Sequence, residues 1–370
     1  MPLRPSDSDI TRRRLGSQLL LAPTLTEPAA VVQRLGAVQA QDYAGAKWAV
    51  AMRTRGKVID AAVEQAVGDG SILRTHVLRP TWHFVTPADI RWMLALTAPR
   101  VKAAMAYYDR QLELEAAVFR RSHTALTRAL RDGKQLTRAE LAQVLRRARV
   151  DATGTQRLGH LMMRAELDGV VCSGARRGRQ STYALLEERV PRSAALDRDA
   201  ALLELTTRYF ATRGPATVQD FAWWSGLTVA DARKGVEIAG RSLKREVNGD
   251  ETYWFDPSAR PPPKRSVSAH LLPNYDEYFI GFKDRSAIAG RLSSTEVAMG
   301  RAALLPHVVV VDGQVVGGWK RTLSKTVVVV ELSLVAGLRA AERKAVAAAA
   351  QAFGRFLELP VELRGVGGRR

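Results

Sequence analysis

The feature that most limits what this chain can fold into is a unit of three short helices closed by a β-hairpin, which recurs against a strongly basic background. In its clearest occurrence, residues 122–186, an apolar helix over 123–131 precedes Leu136-Thr137-Arg138-Ala139-Glu140. Thr137 is placed to cap the next helix, and Glu140 three residues on completes a capping box. That helix runs through Leu141, Val144 and Leu145, and a third opens near Gln156 and stops at Asp168-Gly169. Residues 170–173 and 181–185 then read as two strands around a tip containing Arg176, Arg177 and Arg179. Three helices and a hairpin are the pattern of a winged helix, and a basic tip suits a wing that rests on phosphates.

Two looser copies flank it. In the later one, 204–212 is a helix, Thr217 starts another, and Thr228 and Asp231 occupy capping-box positions. Asn248-Gly249 then joins two strands, a strong two-residue hairpin signal. In the earlier one, 28–41, 44–53 and 58–67 read as helices, and a strand pair lies within 72–85 with its turn at Leu78-Arg79-Pro80. A spacing near 80 residues is too long for a solenoid repeat, so concatenated small domains fit better.

Beyond a proline-rich linker over 257–265 the grammar changes to strands at 266–272, 278–283, 308–311, 315–320 and 326–332, closed by a helix over 339–357. The expected fold class is therefore α+β, with three tandem winged-helix domains (1–110, 111–195, 196–262) followed by a small β-barrel-like domain (263–370).

The 56 Lys and Arg against 37 Asp and Glu give a net charge of +19, so a polyanionic partner is the first expectation. An arginine-preferring genome is the bland explanation of the same excess. The single cysteine, Cys172, excludes an internal disulfide and a cysteine-based zinc site. The apolar run Leu19-Leu20-Leu21-Ala22 behind Arg12-Arg13-Arg14 is too short for a signal peptide or a membrane span, so a cytoplasmic, nucleoid-associated protein is expected.

The phrases Val38-Gln39-Ala40-Gln41-Asp42, Arg79-Pro80-Thr81-Trp82-His83-Phe84, Asp220-Phe221-Ala222-Trp223-Trp224-Ser225-Gly226 and Leu271 through Tyr278, with Gly281-Phe282-Lys283-Asp284-Arg285, occur in this order along nearly the whole length. Together they resemble the winged-helix DNA glycosylases of the AlkZ and YcaQ type, which excise N-alkylated purines and unhook interstrand crosslinks. The resemblance implies a C-shaped body around duplex DNA and a catalytic Gln-x-Gln or Gln-x-Asp motif in the first winged helix. Gln39-Ala40-Gln41 matches the former. It further implies a monofunctional enzyme acting on duplex DNA with bulky or crosslinked N7-alkylpurines, in repair or in self-resistance to a DNA-alkylating natural product. No cofactor, metal or obligate protein partner is expected, and a monomer is. The alternative is a non-catalytic winged-helix DNA-binding protein or transcription regulator, which has no need of two amides facing the duplex.

Alkylation at N7 leaves guanine cationic, so the leaving group needs little acid assistance, and the remaining task is to hold a water near C1′. Two glutamines suit that task better than they suit proton abstraction. Read as a helix, however, positions 39 and 41 lie about 200° apart, so both reach one substrate only if the helix ends there. On a strand, His83 shares a face with Thr81, away from Trp82 and Phe84, which makes it a third candidate catalytic group or a satisfied structural histidine. Trp223 and Trp224 read mostly as core. Asp276 and Glu277 read as an internal salt-bridge network joining the last domain to the earlier ones, with acid-base or metal roles as the alternative. Arg176, Arg177, Arg179, Lys47, Lys283, Lys320 and Arg321 are the candidate phosphate contacts, and the turn at Asp312-Gly313 is the candidate for entering a groove.

Overall fold

The computed structural model describes residues 7–192, 194–259, 266–292 and 307–365; most of the expected linker, 260–265, lies outside the described residues. The first segment contains α1 (Asp7–Ser17), α2 (Pro28–Leu35), β1 (Val38–Gln39), α3 (Tyr43–Met52), α4 (Asp60–Asp69), β2 (Leu73–His76) and β3 (Trp82–Val85). The long α5 (Pro87–Gln111) leads into α6 (Ala116–Leu130), β4 (Leu136–Thr137), α7 (Arg138–Arg147), α8 (Thr155–Leu167), β5 (Val171–Ser173), β6 (Thr182–Leu185) and the short α9 (Leu186–Arg189). Then come α10 (Arg198–Arg213), α11 (Val218–Ser225), α12 (Val229–Ala239), β7 (Lys244–Asn248) and β8 (Glu251–Phe255). The last segment holds β9 (Ala269–Leu272), α13 (Glu277–Ile280), β10 (Val308–Val311), β11 (Gln314–Leu323), β12 (Val328–Leu334), α14 (Ala340–Leu357) and β13 (Val361–Arg364).

Local chemistry explains why these elements form. Thr137 with Glu140, Thr217 with Asp220 and Thr228 with Asp231 all make the reciprocal capping box that starts α7, α11 and α12. The β7–β8 ribbon turns through Gly249-Asp250, one residue later than Asn248-Gly249, with Gly249 at φ +63.

Three expectations are corrected. The expected helix over 28–41 stops at Gly36, whose φ of +79 ends α2, and the next residues form β1. The expected strand over 278–283 begins instead as α13, because Asp276 caps the Tyr278 N–H at 2.8 Å. The last segment is no barrel. Its five strands form an open sheet in the order β13-β12-β11-β10-β9, antiparallel except for β12 with β13, so β9 and β13 are opposite edges rather than a closing pair. α14 connects β12 to β13 and fills one face, where a Cβ at Gly354 would run into Val361.

The apolar cores cross between segments. Val31, Leu35, Trp48, Val50 and Phe84 of the first pack in one cluster with Leu271, Val309, Trp319, Val346 and Phe353 of the last. A second cluster joins Leu73, Ile90 and Met93 to Leu205, Tyr209, Phe221 and Trp224. The site lies along these seams.

Candidate active site

β1 is the edge strand of a three-stranded sheet in the order β1-β3-β2, with Gln39 opposite His83 and Thr75 opposite His83 on the other flank. Pairing continues for one residue more, because the Ala40 N–H donates to the Trp82 carbonyl at 2.7 Å. Gln39 ends β1 and is buried with Val38 and Ala40, whereas Gln41 follows two residues on, at a bend beyond the strand, and is exposed. The difficulty of two amides 200° apart on a helix disappears.

The outward backbone edge of this strand is held by a buried ion pair. Arg213 of α10 donates to the carboxylate of Glu277 at 2.6 and 3.1 Å, to the Leu35 carbonyl at 2.8 Å and to the Ala37 carbonyl at 3.0 Å. Glu277 in turn accepts the Gln39 N–H at 2.8 Å and the Trp224 indole N–H at 2.8 Å. Burial alone would push the Glu277 pKa up, but Arg213 outweighs it and the carboxyl sits below the usual range. Asp276 makes the parallel contact with Arg53 at 2.7 and 2.8 Å. The two acids thus form the internal network joining the last segment to the first and third.

His83 is fully buried, and that burial, reinforced by the Arg79 cation, pushes its pKa down to about 3. Its Nδ1 lies 2.9 Å from the Thr81 carbonyl, so Nδ1 carries the proton and Nε2 is a bare acceptor with no partner among the described residues. A neutral imidazole in this setting accepts a hydrogen bond; it does not supply acid near neutrality.

Sequence reasoning did not single out Arg79. It stands on the β2–β3 connection, where the Arg79 N–H reaches the Val77 carbonyl and the Thr81 N–H reaches the Arg79 carbonyl, both at 2.7 Å. The loop is clamped from outside at Gly226, where a Cβ would run into the Leu78 carbonyl. From there Arg79 donates to Gln39 Oε1 at 2.9 Å, with its guanidinium over the Trp223 ring at 5.9 Å. Trp223 also departs from the expected core role: it is 44% exposed, while Trp224 is fully buried. Successive helical positions diverge by about 100°, so both indoles could not enter one core. Gln41 is exposed, and its Oε1 lies a long 3.4 Å from the Trp82 N–H. Asp42 caps α3 through the Gly45 N–H at 3.0 Å and lies 3.7 Å from Arg321.

The candidate phosphate contacts divide. Lys47 is buried and paired at 2.7 Å with both Asp60 and Glu64, which removes it from any phosphate. Arg176 folds back from its hairpin onto Tyr43, 4.8 Å from the ring and 3.6 Å from Glu64. Arg177 pairs with Glu140 at 2.8 Å. Arg321 faces inward beside Phe353 and Asp42. Arg179, Lys283 and Lys320 are exposed. The Asp312-Gly313 turn is also inward: Tyr278 donates to the Gly313 carbonyl at 2.9 Å and Ser268 to the Asp312 carboxylate, so this turn is packed against α1 and enters no groove.

Among the described residues no group of three or more metal-ligating side chains is assembled, and no helix is long and apolar enough to cross a membrane.

Gln39, Arg79 and the exposed Trp223 meet beside the buried Glu277 in a chain of net charge +19. The profile of the DNA glycosylase AlkZ-like family matches residues 32–356, and the chain belongs to that family. It is a DNA glycosylase. The chain is 28% identical over 329 residues to an interstrand DNA cross-link repair glycosylase of Streptomyces sahachiroi, covering 83% of this chain and 85% of that protein. Its fold is similar to that of the S. sahachiroi DNA glycosylase AlkZ, with a TM-score of 0.77 at 24% identity, over 98% of this chain and 100% of that one.

Proposed function

We propose that this glycosylase excises bulky or crosslinked N7-alkylpurines from duplex DNA, with Gln39 and Gln41 as its catalytic pair and no covalent enzyme intermediate. The observation that carries the reading is the anchoring of Gln39 on an edge strand by the Glu277–Arg213 pair, with the exposed amide of Gln41 two residues further along the chain. Such a strand positions hydrogen bonds without titrating, which matches a cationic base that departs without acid assistance. Lys47, the lysine nearest in sequence, is held between two carboxylates and does not offer itself as a Schiff-base nucleophile. The kinship with a cross-link repair glycosylase favours bulky and crosslinked adducts. On this reading residues 1–110, 111–195 and 196–262 are winged helices, and exposed Arg179, Lys283 and Lys320 touch phosphates. The protein acts as a monomer.

The test is incubation of the purified protein with duplex DNA carrying an N7-alkylguanine. Released alkylguanine and an alkali-labile abasic site are expected. Intact adduct after many half-lives, with the duplex nonetheless bound, would replace the proposal with a DNA-binding protein that does no chemistry on this lesion.

A further inference from the structure

We propose that Arg79 is a positioning residue that splits the roles of the two glutamines, making Gln39 a hydrogen-bond donor to the damaged nucleotide and leaving Gln41 to accept from the attacking water. The inference rests on the glycosylase reading above and deepens it.

Gln39 is nearly buried, and its Oε1 already accepts from Arg79 at 2.9 Å. An arginine has no acceptor, so this contact fixes which end of the amide is oxygen and leaves the Gln39 NH2 as the group to be presented. Arg79 itself is costly to keep there. Its Nε is buried without a partner, burial holds its pKa below the ordinary arginine value, and no carboxylate lies within ion-pair distance among the described residues. A half-buried cation whose side-chain hydrogen bond, among the described residues, goes to a single neutral amide adds little stability, which favours a positioning role. The tight β2–β3 turn and the Gly226 contact hold it in place.

The chemistry then assigns the partners. The C1′–N9 bond breaks with its electron pair passing to the cationic purine, the water oxygen bonds to C1′, and the water proton leaves to solvent. Water has two lone pairs, so a donor on one leaves the other free to attack but draws electron density from the oxygen and makes it a poorer nucleophile, whereas acceptors on its hydrogens make it a better one. The Gln39 NH2 therefore faces an acceptor atom of the nucleotide. The water's hydrogens need an acceptor, which the exposed and loosely held Gln41 amide oxygen supplies.

The experiment is single-turnover excision of an N7-alkylguanine from a duplex, with uncatalysed loss subtracted, for Gln39→Glu, Gln41→Glu, Arg79→Met and Arg79→Lys. Gln39→Glu keeps the shape and pairs with Arg79 but loses the donor, so a loss on the order of 100-fold is expected. Gln41→Glu keeps an acceptor and should lose at most about tenfold. Arg79→Met should slow excision on the order of tenfold or more with duplex affinity unchanged, and Arg79→Lys should recover part of that rate. A pH series gives the readout a structural role would not move. Gln39→Glu should quicken as pH falls, because a protonated carboxyl regains a donor, and adding Arg79→Met should shift that rise to higher pH. A Gln39→Glu enzyme as fast as wild type, or slow but unchanged with pH, overturns the assignment. A wild-type enzyme that releases no base sinks the glycosidic reading itself, and the two failures are thereby distinct.

Discussion

Replacing Glu277 by glutamine tests whether the buried ion pair holds the catalytic strand. The side chain keeps its volume, but Arg213 loses the counter-charge for contacts at 2.6 and 3.1 Å, in a site where both side chains are fully buried. If the new amide oxygen turns to Arg213 and Trp224, its NH2 meets the Gln39 N–H, two donors face to face. Breaking one partner of a buried pair costs about 3–5 kcal/mol, and the retained acceptor places Glu277→Gln near the lower end, about 3 kcal/mol. Urea unfolding of Glu277→Gln, Arg213→Met and the double variant reads this directly. The double variant should be less destabilised than the sum of the singles, by about 2 kcal/mol, because it no longer strands a charge. A loss under about 1 kcal/mol for Glu277→Gln, or singles that simply add, would refute the idea that this pair is the strap.

Gln41→Ala should slow base release about 10- to 1000-fold while melting as wild type does, which a single-turnover assay with a thermal melt decides. Excision by wild type and Asp42→Asn should be nearly flat from about pH 6 to 9, since His83 titrates at about 3; an acid limb lost on Asp42→Asn would make Asp42 the base. Because the His83 pKa is depressed, its contribution to stability is complete above its unfolded value near 6.5 and is lost as pH falls from there toward 3, so His83→Asn should flatten the stability profile over that window. Arg179→Ala should lower the log–log salt slope of duplex binding by about 0.9, whereas inward-facing Arg176→Ala should leave it nearly unchanged; titrations giving the opposite order would place the hairpin differently.

What the sequence revealed, and what it hid, follows from the range of the forces involved. The capping boxes at Thr137 and Thr228 and the helix start at Thr217 need only three residues of context, and each is legible in the sequence. The Gln39-Ala40-Gln41 motif was visible, but its strand was not: β1 has two residues and exists through pairing with β3, far along the chain. Asp276 and Glu277 read as an internal salt-bridge network, but their partners could not be named, because Arg53 and Arg213 are brought to them from 223 and 64 residues away. Arg79 has no local signature, because its role depends on where Gln39 and Trp223 meet in space. The barrel expectation failed because alternating strands reveal pairing partners poorly, and closure depends on which edges meet.

The apolar cluster shared by residues 31–84 and 271–356 makes the order of synthesis matter. A ribosome releases Gln39 and Gln41 long before it makes Glu277, Trp319 or Phe353. Until those residues emerge, Val31, Trp48 and Phe84 lack their packing partners and the edge strand lacks its anchor, so a chain interrupted before α14 leaves sticky apolar surface and no assembled site. The site is thus assembled only once α14 has been made, and products truncated before it are substrates for chaperones and proteases rather than weak enzymes.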